Sequence, residues 1–165
     1  MLKQLTAIGN LTVDDIIFYD TQQMFLNSIG GNAIYTSIGA RVWGTPTTLA
    51  ARIGRSFPGD SVQKLDAFGI QTCLVEVPFN DIRGWALYEP GGARQLINHL
   101  SSGTHYQMSI TGDELPQECL QADGYHVAPM PTDVQQSIIK RLYESNDRDT
   151  IISWDPHEDY LQAPN

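Results

Sequence analysis

Leu5, Ala7 and Ile8 form a short apolar run that stops at Gly9-Asn10, the pattern of a buried strand ending in a turn. The stretches IIFYD and QQMFLNSIG that follow are β-rich and partly alternating, until Gly30-Gly31 break the chain. Beyond the break Ile34, Ile38, Val42 and Trp43 recur at near-helical spacing. They predict a helix over Ala33 to Trp43, with Gly44 as its stop and a strand over Thr47 to Ile53. A Pro-Gly loop then leads to a helix carrying Val62, Leu65 and Phe68, capped by Gly69, and to a strand around Thr72 to Val77.

This β-α-β-α-β succession with short connections predicts an α/β fold, a mostly parallel sheet flanked by helices. RGWALYEPGGARQLINHL interrupts the rhythm. Trp85 to Tyr88 and Arg94 to His99 flank Pro90-Gly91-Gly92, which predicts a hairpin off the main sheet, paired with the β-rich stretch at 12–29 as a small second layer. The alternation then resumes with a short helix over Asp113 to Leu120, a strand over Tyr125 to Ala128, a helix over Thr132 to Glu144 capped by Thr132, and a strand over Thr150 to Trp154. There are no internal repeats or low-complexity linkers, and 165 residues of which 41% are hydrophobic suit one main domain.

Ten Lys and Arg against nineteen Asp and Glu leave a formal charge of -9, which argues against nucleic acid as a partner. A polyanion such as ATP would have to be drawn in by backbone amides or a cation, which makes magnesium a candidate helper. With no run of about 18 apolar residues and no basic segment leading into an apolar one, the chain reads as cytoplasmic, with no membrane partner. Cys73 and Cys119 lack metal-site spacing and read as buried free thiols. His99, His105, His126 and His157 are scattered, so no metal site is expected. Arg94 is expected to face solvent, and Trp43, Trp85, Tyr88 and Trp154 to serve packing. Asp155 and Glu158 could approach a cation, although a polar turn accounts for them as well.

Ligands of open α/β sheets sit at the carboxyl ends of the strands, where Gly9 to Asp14, Gly30 to Tyr35 and Pro129 to Thr132 fall. Asp14 could accept hydrogen bonds from two sugar hydroxyls, or it could stabilise its own turn. Gly30-Gly31-Asn32 could let a small polar ligand approach exposed helix amides, or be an ordinary helix start capped by Asn32.

The string GGNAIYTSIGARVWG, followed by TTLAARIGRSFPGDSVQKLDAFGIQT, resembles the first signature of the ribokinase-like (PfkB family) carbohydrate kinases. IGNLTVDD resembles that family's first strand with its Gly-x-x-x-x-Asp turn, RGWALYEPGGARQLI its second lid hairpin, and ISWDP its later Asp-Pro strand end. The resemblance runs over nearly the whole chain, in order. It implies a Rossmann-like three-layer fold over residues 1–165 with a small β lid near 12–29 and 84–100. It also implies an acceptor site formed by Asp14, Gly30, Gly31 and Asn32, with Thr12 where many members have Asn. Tyr35 stands where the family often has a sugar-binding Asn, and HVAPMP lacks the glutamate of ribokinases proper, which leaves the acceptor open between a sugar and a nucleoside.

Neither the family's Asn-x-x-Glu motif nor its Asp-Thr-x-Gly-Ala-Gly-Asp loop, which holds the catalytic base, occurs, and there is no Walker loop. The expectation is therefore the amino-terminal part of an ATP- and magnesium-dependent sugar kinase, truncated before the carboxyl-terminal half, with no catalytic residue of its own. Alternatively it is a non-catalytic sugar- or nucleoside-binding module, or a dimerising one, since lid sheets in this family pair between subunits.

Overall fold

The computed structural model describes residues 4–146 and 149–157. Its main sheet has five parallel strands. The apolar run at the start forms β1 (Leu5–Ile8), which lies in the centre between β4 (Thr47–Ile53) and β8 (Gly124–Val127), with β5 (Ile70–Glu76) and β9 (Ile151–Trp154) at the edges, in the order β5-β4-β1-β8-β9. Alternation along these strands feeds two cores. Leu49 and Ala51 face Ala33 and Ile34 of α1 (Asn32–Val42) and Leu65 of α2 (Ser61–Ala67). Ala50, Ile8, Tyr125 and Val127 face Ile138 and Leu142 of α4 (Thr132–Ser145) and Ile110, Leu115 and Leu120 of the preceding segment. Helices thus cover both faces, as strands buried on two sides require, and each fully buried aliphatic side chain contributes about 1.5–3 kcal/mol.

A second sheet of four strands stands apart, in the order β3-β2-β6-β7. It joins β2 (Thr12–Phe18) antiparallel to β3 (Gln23–Gly30) and parallel to β6 (Ile82–Tyr88), and β6 antiparallel to β7 (Arg94–Asn98). The β6–β7 turn contains Gly91 and Gly92 at positive φ, as the Pro-Gly-Gly signal predicts.

Several expectations are corrected. Asp113 to Leu120 is not one helix but two 3₁₀ turns, Gly112–Glu114 and Gln117–Leu120, because Pro116 cannot donate into a continuing helix. A four-residue helix, α3 (His105–Met108), lies where none is expected. Pro131, not Thr132, occupies the cap position of α4, and Gly31, not Asn32, that of α1. Trp43 is 86% exposed, so it does not serve packing. Glu158 lies outside the described residues.

The cysteines are buried as expected, Cys73 at 8% and Cys119 at 1% exposure, but they are not free: they form a disulfide across a sequence separation of 46. Cys73 lies on the edge strand β5, and the Gln117–Leu120 turn crosses under the same face of the sheet, with Thr6 Oγ1 donating to the Cys119 carbonyl at 3.3 Å. Spacing along the chain carries no trace of this adjacency. Among the described residues no helix is long and apolar enough to cross a membrane.

Candidate functional site

The connection from β1 to β2 starts at the carboxyl edge of the main sheet and turns into the second sheet, so Thr12 and Asp14 are placed beside the start of α1. On an antiparallel pair, residues opposite one another share a face, and β2 and β3 pair Thr12 with Gly30 and Asp14 with Ser28. Thr12 Oγ1 donates to Asp14 Oδ2 at 2.7 Å. A Cβ at Gly30 would come within 2.8 Å of both Asp14 Oδ2 and Thr12 Oγ1 and 3.5 Å of the Tyr35 hydroxyl. Thr12, Asp14, Gly30 and Tyr35 therefore surround one small space that only glycine leaves open.

Gly31 is needed for its backbone. Its φ of 105° and ψ of 148° lie where L side chains are strained, and any Cβ there would run into the Asn10 carbonyl oxygen. The tight turn brings the end of β1 against the first turn of α1, whose amides no side chain caps. Asn32, the first residue of α1, is exposed at the rim, as is Tyr35. The structure thus brings Thr12, Asp14, Gly30 and Tyr35 together, with Gly31 and Asn32 adjacent through the chain.

Burial pushes the half-buried Asp14 carboxyl above the usual carboxylate range; the Thr12 hydroxyl pulls it back, Asp15 pushes it further up, and Arg94 draws it down. A carboxylate held in this way, beside uncapped helix amides, is equipped to accept hydrogen bonds from a polyhydroxylated ligand.

Two further residues on this face, Gly84 and Asn98, escape sequence reasoning. The ladders align Asp14 with Gly84 and Gly84 with Asn98, and a Cβ at Gly84 would meet the Ile97 carbonyl oxygen at 3.0 Å and Asn98 Oδ1 at 3.7 Å, so glycine lets the Asn98 side chain lie over this position. Farther along the same face the Arg94 guanidinium lies 6.0 Å from the Tyr88 ring, which stacks on Phe18. Period-two alternation through 84, 86, 96 and 98 was the available signal; it needs the strand pairing to be known. Asn10, at the end of β1, is 6% exposed and donates through Nδ2 to the His105 carbonyl at 3.4 Å, fastening α3 to this edge.

No family model matches the sequence. A curated relative, the cytidine kinase of Thermococcus kodakarensis, is 27% identical over 145 residues, which cover 86% of this chain and 49% of the relative. The fructokinase of Xylella fastidiosa with bound ATP superposes with a TM-score of 0.74 at 13% identity, over 100% of this chain and 52% of its own. The ribokinase of Giardia lamblia does so with a TM-score of 0.71 at 13% identity, over 93% and 54%. The chain spans about half the length of the curated relative it matches. These likenesses bear out the resemblance seen in the sequence and the fold it implies: a mostly parallel, helix-flanked sheet with a second, smaller sheet, matching about half of each of those kinase structures.

Proposed function

We propose that this chain, which has the ribokinase-like fold, supplies the acceptor site of a kinase that moves the γ-phosphoryl group of ATP to a hydroxyl of a sugar or nucleoside. The observation that carries the reading is the convergence of Thr12, Asp14 and the bare Gly30 at the uncapped start of α1. In this reading Asp14 accepts from acceptor hydroxyls and orients them, Thr12 holds the carboxylate, and Gly30, Gly31 and Asn32 let the acceptor approach the helix amides. Tyr35 stands at the rim. The second sheet acts as a lid that excludes water from the acceptor.

Among the described residues no three His, Cys, Asp or Glu side chains come together in a group that could hold a metal ion. With neither cation anchor nor phosphate loop in its sequence, the chain on its own is expected to give no ADP release with ATP, magnesium and any sugar. A coupled assay on protein freed of host kinases checks this, and turnover that disappears in Asp14→Ala would show it to be wrong.

The acceptor is tested by calorimetry against D-ribose, D-fructose and cytidine. Asp14→Ala should weaken binding by about 1–3 kcal/mol with the fold intact; unchanged affinity removes Asp14 from the site. The raised pKa gives the pH course. The ionised carboxylate is the better acceptor, so affinity should be full at neutral pH and fall as acid protonates Asp14, at a pH above that of an ordinary aspartate. A flat profile from neutral pH to the ordinary aspartate range contradicts this role. Partners are read as the small molecule and a second copy of the chain, joined through the exposed Trp85, Ile97 and Met24 of the lid sheet. The setting is read as cytoplasmic, where the disulfide would have to resist the cellular thiol pool.

A further inference from the structure

β2 and β3 pair residue for residue at Thr12–Gly30, Val13–Ile29 and Asp14–Ser28, and again from Ile16–Phe25 onward. Between these stretches Asp15 alone faces two residues, Leu26 and Asn27. This is a β-bulge on β3, and Asn27 takes a φ of 54°, in the left-handed region that Asn tolerates better than other side-chain-bearing residues.

The Asp15 side chain is built into the interruption. The Asn27 backbone N–H donates to Asp15 Oδ1 at 2.8 Å, replacing the ladder bond that the extra residue breaks. Arg83, on β6, donates from Nη2 to Asn27 Oδ1 at 2.6 Å, and the same nitrogen lies 3.9 Å from Asp15 Oδ1. Beyond the end of β7, His99 Nε2 lies 3.6 Å from Asp15 Oδ2, its ring against Trp85 with centroids 4.2 Å apart. The Asp15, Arg83 and His99 side chains are 14%, 21% and 20% exposed. Groups from β2, β3 and β6, and from the residue that follows β7, thus meet at one bulge, on the face opposite Asp14.

Because side chains alternate strictly, a slip of one residue between β2 and β3 turns a whole face over. Gly30 sits against Thr12 only while the extra residue of β3 is accommodated between the Thr12–Gly30 and Ile16–Phe25 pairs. If the bulge were lost, or moved past Gly30, with the Ile16–Phe25 register kept, Ile29 and its Cβ would stand opposite Thr12. A surface ion pair alone would contribute little to such a choice, whereas a carboxylate bonded to the backbone amide of a bulge residue, Asn27, selects its location.

We propose that Asp15 is a positioning residue: with Asn27 and Arg83 it pins the bulge of β3, and so holds Asp14 and Gly30 in the register that binds the acceptor. The last clause rests on the acceptor reading given above; the pinning does not.

The test compares Asp15→Asn with Asp15→Ala in the full chain. Both remove the charge, so any direct effect of that charge on Asp14 is shared, and only Asn keeps an oxygen for the Asn27 amide. Hydrogen exchange of the amides at 12–15 and 26–30 reads the register without any acceptor. Calorimetry with D-ribose, D-fructose and cytidine reads the site. In Asp15→Ala the exchange in these segments should quicken about tenfold, the size of one hydrogen bond to a charged group, and binding should weaken by a similar factor. Asp15→Asn should stay within about threefold of the parent on both readings.

Equal behaviour of the two variants, or unchanged exchange in Asp15→Ala, overturns the proposal. If exchange follows the expectation while even the parent chain binds none of the three probes, the pinning is upheld and it is the acceptor reading that fails. Should Asp15→Ala not fold, Arg83→Met decides. It removes the guanidinium from Asn27 and keeps most of the apolar stem, so exchange should quicken about threefold or more at 12–15 and 26–30 only; no local change there refutes the pinning.

Discussion

Reduction of the Cys73–Cys119 bond is expected to lower the stability of the chain by about 4 kcal/mol, the loop-closure entropy of a ring of this length. The separation of 46 residues is the quantity that matters, since the bond restricts the unfolded chain far more than the folded one. Both cysteines are buried, and they tie the edge strand β5 to the turn beneath the central strands, so the reduced chain keeps its packing but loses the constraint. For a chain of this size the melting temperature should fall by roughly 8–16 °C under a phosphine reductant at neutral pH. Thermal melts with and without reductant measure it, alongside a thiol count on the denatured protein. Two thiols in the untreated protein, or an unmoved melting point once two have been released, would return these residues to the status of ordinary buried thiols.

How far the site could be read beforehand depended on the range of the interaction involved. Gly9, Asp14 and Gly30-Gly31 lie within short segments whose turn chemistry is local, and the main-sheet strands announce themselves as apolar runs; these were legible. The helix α3 leaves a single local signal: Thr104 and Gln107 form a capping box, each side chain bonded to the other's backbone, and that spacing stands in the sequence. Four residues are simply too few to show a period. Asn98 and Gly84 join the site only through the parallel pairing of β2 with β6, a non-local contact that no local pattern encodes. The disulfide is non-local in the same sense. The β-bulge is subtler still, because QMFLNSIG looks like one continuous strand and only Asp15, on the paired strand β2, reveals where the extra residue is accommodated.

The adjacent glycines should respond to the same substitution in opposite ways. At Gly30 the backbone does not lie in the left-handed region, and the atoms an added Cβ would meet, Asp14 Oδ2 and Thr12 Oγ1, are the ends of side chains that can swing aside. Gly30→Ala should therefore fold with a stability loss of about 1 kcal/mol or less. In swinging aside, however, the carboxylate leaves the position from which it meets the acceptor in the proposed function, and the new methyl group occupies the proposed approach, so acceptor binding should drop by about a hundredfold or more, beyond the loss of a single hydrogen bond. At Gly31 the obstacle is backbone. Positive φ costs about 1–3 kcal/mol for a residue with a side chain. The Asn10 carbonyl and the Leu11 Cα, 3.1 Å from the added atom, cannot retreat without moving the end of β1. Gly31→Ala should accordingly lose about 3 kcal/mol or more of stability. Paired melts and calorimetry on the two variants separate the effects. If Gly30→Ala binds as the parent does, the space bounded by Thr12, Asp14 and Tyr35 is not where the acceptor lies; if Gly31→Ala is as stable as the parent, the turn into α1 is less constrained than its geometry requires.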